Sequence, residues 1–155
     1  MPLTENLQRD RVSKLNCKPA LTVPPSATIR QAIAIMQQYR AGVVLVEDGG
    51  RVAGVFTERD LLKRVLGRGV DIGAMISTVM TANPTTVTVE DTVGAALQKM
   101  LDGGYRHLPV VDARGRAVGR ISVREIVHYM VEYFPKAVYN LPPEPDQVQA
   151  APEGA

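Results

Sequence analysis

"GVFTERD" at 54–60 and "GRISVRE" at 119–125 spell one pattern twice: a glycine, a short strand-like stretch, a hydroxyl, and a carboxylate three residues later, ahead of a new apolar run. Thr57 precedes Asp60 in the first copy, and Ser122 precedes Glu125 in the second. At a strand-to-helix junction this spacing makes a capping box, whose side chains satisfy backbone groups that the first helical turn leaves open. The same pair suits a ligand. A carboxylate accepts charge-assisted hydrogen bonds, and the N–H groups of a helix start attract an anion. From the motif alone both readings stand.

The surrounding segments repeat as well. "TVPPSATIRQAIAIMQQYRAGVVLVED" at 22–48 lies on "TVTVEDTVGAALQKMLDGGYRHLPVVD" at 86–112 without a gap, with Thr28 on Thr92 and Met36 on Met100. One extra turn residue follows in the second copy. Ile29, Ala32, Ile33 and Met36, like Val93, Ala96, Leu97 and Met100, sit at i, i+3, i+4 and i+7, the stripe of an amphipathic helix. Thr28 and Thr92 stand at the N-cap positions. The β-branched runs "VVLVED" and "HLPVVD", a glycine-containing turn and "RVAGVFT" or "RAVGRIS" predict a hairpin. A second helix follows through Leu61, Leu62 and Val65, or Ile126, Val127 and Met130. With "LTV" or "TTV" as a leading strand, each unit reads β-α-β-β-α, an α/β (α+β) fold of two packed copies. Each is too small to be comfortable alone, so the two share an interface.

The expected divisions are a lead-in at 1–18, a first unit at 19–70, a linker helix and second unit at 71–133, and a proline-rich tail at 134–155. "DRVSKLN" and "DIGAMISTVM" read as short helical lead-ins, one before each unit. Beyond Leu141 the tail reads as extended or disordered, and its prolines suit a peptide ligand for a partner.

Composition narrows the function. At 45% apolar and 22% charged residues the chain forms a globular core, and a net charge of +2 with dispersed Lys and Arg gives no nucleic-acid footprint. The polar N-terminus carries no signal peptide, and "VVLV" is too short to span a bilayer, so a soluble, cytoplasmic protein is expected. Cys17, the single cysteine, excludes an internal disulfide and a cysteine–zinc site. Two histidines, no P-loop and no Ser-His-Asp arrangement leave nothing from which to assemble a catalytic set, so a non-enzyme is expected.

Two aligned units, each closing on Gly-x-x-[Ser/Thr]-x-x-[Asp/Glu], with "YRHLPVVD" opening the second central strand, resemble a tandem CBS-domain pair, or Bateman module, of the stand-alone bacterial or archaeal type. The resemblance covers about residues 12 to 133. It implies a regulatory, energy-sensing module binding AMP, ADP or ATP in the cleft between units, with no metal and no catalytic cofactor. One site would use Thr57, Arg59 and Asp60 with Thr86 and Tyr105. The other would use Ser122, Arg124 and Glu125 with Thr22 and Gly42, and Arg106 and His107 would approach the phosphates. Cationic side chains there favour a phosphate ligand over S-adenosylmethionine, whose sulfonium is positive. Glu125 departs from the usual Asp, so the Thr57/Asp60 site is expected to be the tighter. Arg120 stands where the strand is normally apolar. A homodimer through helix faces and an unknown regulated protein are the expected partners. The alternative is a structural or interaction module with empty clefts.

Overall fold

The computed structural model describes residues 2–139, with side chains over 5–132; the expected tail from residue 140 lies outside the described residues. Both repeats fold as β-α-β-β-α units. In the first, a short strand β1 (Thr22–Val23) leads to helix α2 (Ile29–Tyr39), the hairpin β2 (Val43–Asp48) and β3 (Arg51–Thr57), and one helical turn α3 (Glu58–Asp60) that widens into a π-helix over Leu61–Leu66. Thr28 and Gln31 form a complete capping box at the start of α2. The stripe Ile29, Ala32 and Met36 is buried. The hairpin turns through Gly49 and Gly50, both at positive φ, which glycine adopts without a Cβ clash.

The second unit repeats this with helix α4 (Val93–Gly103), capped by Thr92, the hairpin β5 (His107–Val111) and β6 (Ala117–Ser122), and helix α5 (Val123–Tyr139). The expected leading strand "TTV" shrinks to a single bridge, Val87 with Val110. Proline chemistry accounts for this. In the first unit Leu45 donates its N–H to Leu21 (2.8 Å), whereas Pro109 holds the matching position and has no N–H to give. Helical backbone in α5 continues past residue 133 and Pro135, where the sequence places the start of the tail, since no glycine or proline interrupts 123–134. Ahead of both units lies α1 (Pro2–Arg9), a short, mostly polar helix that packs Leu7 against the second unit's core. It packs on α4, and a Cβ on Gly94 would come within 2.8 Å of the Leu7 carbonyl oxygen.

The lead-ins do not pack on the units they precede. Each is a single 3-10 turn, Val12–Lys14 and Ile76–Thr78. Val12 and Leu15 lie in the core of the second unit, with Val93, Leu108, Ile121 and Ile126. Ile76 and Val79 lie in the core of the first, with Ile29, Val44, Phe56 and Val65. Backbone pairing follows the same exchange: β4 (Thr81–Ala82) pairs antiparallel with β3 of the first unit, giving the sheet order β1-β2-β3-β4, and Lys18 exchanges both backbone bonds with Arg120 on β6. Full burial of one such aliphatic side chain stabilises by about 1.5–3 kcal/mol, so each crossing turn contributes on the scale of a small domain's net stability.

The hairpins meet directly. Val52 donates its N–H to the Gly115 carbonyl (2.9 Å), and Arg51 Nε donates to the Arg114 carbonyl (3.0 Å). Among the described residues no helix is long and apolar enough to cross a membrane.

Because Ile76 completes the core of the first unit, Ile76→Ala should destabilise that unit although it stands before the second. The expected loss in urea unfolding is about 2–5 kcal/mol. Native-state hydrogen exchange should accelerate in α2 and β2. Acceleration confined to α4 and β5 would contradict the exchange.

Candidate functional site

Both motif pairs cap the helix at a strand-to-helix junction, Thr57 and Asp60 as a full capping box and Ser122 and Glu125 as a variant in which the hydroxyl accepts from the second N–H of the helix. Thr57 Oγ1 accepts from the Asp60 N–H (3.2 Å), and Asp60 Oδ2 accepts from the Thr57 N–H (3.0 Å) and hydroxyl (3.2 Å). Glu125 Oε2 likewise accepts from the Ser122 N–H (2.7 Å) and hydroxyl, while the Arg124 N–H donates to Ser122 Oγ (3.2 Å). The longer Glu side chain reaches the same cap. Asp60 and Glu125 are buried, and a carboxylate removed from water requires such partners.

Beyond the caps the halves differ. Asp60 also accepts from the Thr81 hydroxyl (3.2 Å to Oδ1) and pairs with Arg64 Nε (3.6 Å). Arg64 in turn donates to the Met80 carbonyl (2.8 Å), fastening the crossing lead-in to the carboxylate. At Glu125 the fourth residue onward is Tyr129, whose hydroxyl donates to Asp10 instead (2.6 Å). Glu125 and Arg124 line a cavity of about 400 Å³, within the range of about 300–1,000 Å³ usual for small-molecule sites. Its facing wall is the other lead-in, with Leu15, Asn16 and Lys18.

The remaining expected residues separate into those at the junction and those away from it. Gly42 sits where the units touch: a Cβ there would lie 2.6 Å from Glu58 Oε1 and 3.0 Å from the His107 ring. His107 is paired with Ser122 across the hairpin, and the Arg106 carbonyl accepts from the Val123 N–H (3.0 Å). Thr22 pairs with Leu45 in the sheet, and neither it nor Gly42 is among the residues lining the cavity. Thr86 offers its carbonyl to Lys99 Nζ (2.8 Å), and the exposed Tyr105 ring fills the space a side chain on Gly103 would need. No hydrogen bond or ion pair joins Thr86, Tyr105 or Arg59 to Asp60 among the described residues. Arg120 Nε is held by the Pro19 carbonyl (2.9 Å).

Thr81, Arg64, Glu58 and Lys18 escape the sequence reading. Arg64 had a local signal, since it lies one helical turn after Asp60. Thr81 and Lys18 had none, because they reach the motifs only through the crossing lead-ins. No group of three or more metal-ligating side chains occurs among the described residues.

Burial pushes the His107 imidazole below its ordinary value, with Arg120 and Arg106 acting the same way and Glu58 and Glu125 opposing. Burial also lowers Arg120, offset by Glu125, and raises the Cys17 thiol, with Glu125 adding to that rise. All three groups sense Glu125, and His107 senses Glu58 more strongly.

The chain matches the CBS domain over residues 12–67 and again over 76–132. It belongs to the CBS-domain family and carries two such domains in tandem. It is 34% identical over 130 residues to the CBS domain-containing protein CBSCBSPB3 of Arabidopsis thaliana, a match covering 81% of this chain and 23% of that protein. The chain thus spans about a quarter of that relative's length. Among solved structures it resembles the CBS-domain containing protein ATU1752 from Agrobacterium tumefaciens, with 33% identity, TM-score 0.69, and coverage of 77% of this chain and 98% of that one. It also resembles the CBS domain protein PAE2072 from Pyrobaculum aerophilum complexed with AMP, with 28% identity, TM-score 0.73, and coverage of 83% and 98%.

A histidine whose folded value is depressed stays neutral in the native state while the unfolded chain takes up a proton. Stability contributed by His107 is therefore complete above its unfolded value of 6.5 and is lost as pH falls below it toward the folded value. Melting temperature should drop from about pH 7.5 to about pH 5.5, and His107→Gln should flatten that slope. An unchanged slope in the variant would show that His107 does not carry it.

Proposed function

We propose that this chain is a non-catalytic, ligand-sensing module that binds adenine nucleotides between its two CBS domains and passes occupancy to a partner protein or to its own dimer interface. The observation that supports the reading is the buried Glu125 carboxylate beside a cavity of about 400 Å³ between the first lead-in and α5, lined by Lys14, Lys18 and Arg124 together with Glu125 and Glu132. A carboxylate suits a sugar diol, and cations suit a phosphate. PAE2072, similar over most of this chain, was solved with AMP, which supports the ligand class. Thr57, Arg59 and Asp60 with Thr86 and Tyr105, and Ser122, Arg124 and Glu125 with Thr22 and Gly42, remain the proposed contacts, with Arg106 and His107 toward the phosphates. The cations disfavour S-adenosylmethionine.

A binding-only reading without nucleotide draws on a different observation. Leu62 and Leu66 on the π-helix and Val127 and Val131 on α5 are 46–65% exposed, matching apolar stripes on the two second helices. Such stripes suit a helix-to-helix contact, and we assign them to a homodimer.

Thermal melts separate the readings. Ligand at about 100 times Kd stabilises by about 2.7 kcal/mol, a rise of roughly 5–10 °C for a chain of this size. AMP, ADP or ATP should give such a rise, and S-adenosylmethionine a smaller one; a flat response to all three nucleotides at millimolar concentration would favour the binding-only reading.

Light scattering at micromolar concentration should give about twice the mass of one chain, falling toward one chain mass when Leu66 and Val131 are both replaced by Glu. A monomer under every condition would reject the dimer.

A further inference from the structure

Where β3 ends and β5 begins, the two units present a carboxylate and an imidazole to the same small space. The two strands pack on each other. Glu58, on the first turn after β3, and His107, at the start of β5, both border Gly42. A Cβ built on that glycine would lie 2.6 Å from Glu58 Oε1 and 3.0 Å from Cε1 and Nε2 of the His107 ring. Carboxylate and ring therefore stand within about 6 Å of each other, near enough for an opposite charge to favour the charged form. No hydrogen bond or ion pair joins them among the described residues.

The other repeat carries no such pair. Its alignment lays His107 on Val43, Glu58 on Val123 and Gly42 on Arg106. The backbone bond is kept, since Glu58 N–H donates to the Gly42 carbonyl (3.1 Å) and Val123 N–H to the Arg106 carbonyl (3.0 Å). Neither valine can take up a proton.

Four charged groups face His107: Glu58 from α3, Arg120 from β6, Glu125 from α5 and the adjacent Arg106. Arg120 is held by the Pro19 carbonyl and Glu125 by the Ser122 cap. Glu58, whose side chain is exposed, is the carboxylate placed to move. We infer that His107 is a proton-operated catch between the two units, which on protonation draws the Glu58 carboxylate across Gly42 into an ion pair. Acid thereby reshapes one side of the junction, while the side with Val43 and Val123 stays as it is. Burial and the two arginines act against the imidazolium, so the catch engages below the ordinary histidine value of 6.5.

An NMR pH titration of the full chain without nucleotide tests the catch, so its outcome does not depend on the binding reading. The exposed His128 is the internal comparison. The Gly42 and Glu58 amides should shift with the midpoint of His107. Glu58→Gln should lower that midpoint and abolish the linked shift at Gly42. Losing the attracting carboxylate depresses the folded value further, so the fall in melting temperature from about pH 7.5 to about pH 5.5 should steepen in Glu58→Gln, opposite to the effect of His107→Gln. Added to His107→Gln, Glu58→Gln should leave the slope as it is. An unchanged His107 midpoint in Glu58→Gln, or Gly42 and Glu58 amides that do not follow His107, would overturn the assignment.

Discussion

Four aliphatic side chains sit in the wrong half of the molecule, and the arrangement of both halves depends on them. Val12 and Leu15 fill the second unit, while Ile76 and Val79 fill the first. A unit of about sixty residues buries too little surface to be secure by itself. Exchanging the turns gives each unit core residues from beyond its own repeat. It also holds the units at a fixed mutual distance, since each lead-in continues without a break into the unit it precedes. The hairpin contacts of Arg51 and Val52 with the Arg114–Gly115 turn then set how the two sheets meet.

The motif carboxylates read differently within that frame. A capping box and a ligand site are compatible when the acid has two oxygens and the cap consumes one. Glu125 makes its cap bonds through Oε2, whereas Asp60 also engages its second oxygen with Thr81 and Arg64. Internal duplication thus preserved the backbone and the cap in both copies while the side chains around them parted. His107, Arg120 and Cys17 all respond to the charge of Glu125.

Features set by short-range physics were legible in the sequence. The buried stripes of α2 and α4, their threonine caps and the two hairpins follow from spacing and turn chemistry over a dozen residues. The family resemblance followed from the repeat and holds for both copies. What crosses the chain was not legible. No local pattern says that Ile76 belongs with Phe56, or that Thr81 reaches back to Asp60, because each such contact is a choice between two equally apolar or equally polar destinations. Helix α1 was missed for another reason: it is only eight residues long with two leucines, too short for a full periodic stripe, and its packing on α4 depends on the small Gly94 of the other element. The proline that trims the leading strand at Val87 was visible, but its effect needed the register of Leu21 with Leu45 to interpret.

The exchanged turns also order events in time. During synthesis a chain folds domain by domain from its N-terminus. Here the first unit, though complete through its π-helix at Leu66, lacks Ile76 and Val79 until the second repeat has begun to emerge, while Val12 and Leu15 wait exposed for a core more than seventy residues downstream. Contacts of such sequence separation carry a loop-closure cost before they stabilise anything. The molecule is therefore expected to fold late and as one cooperative body, with neither repeat serving as a finished template for the other.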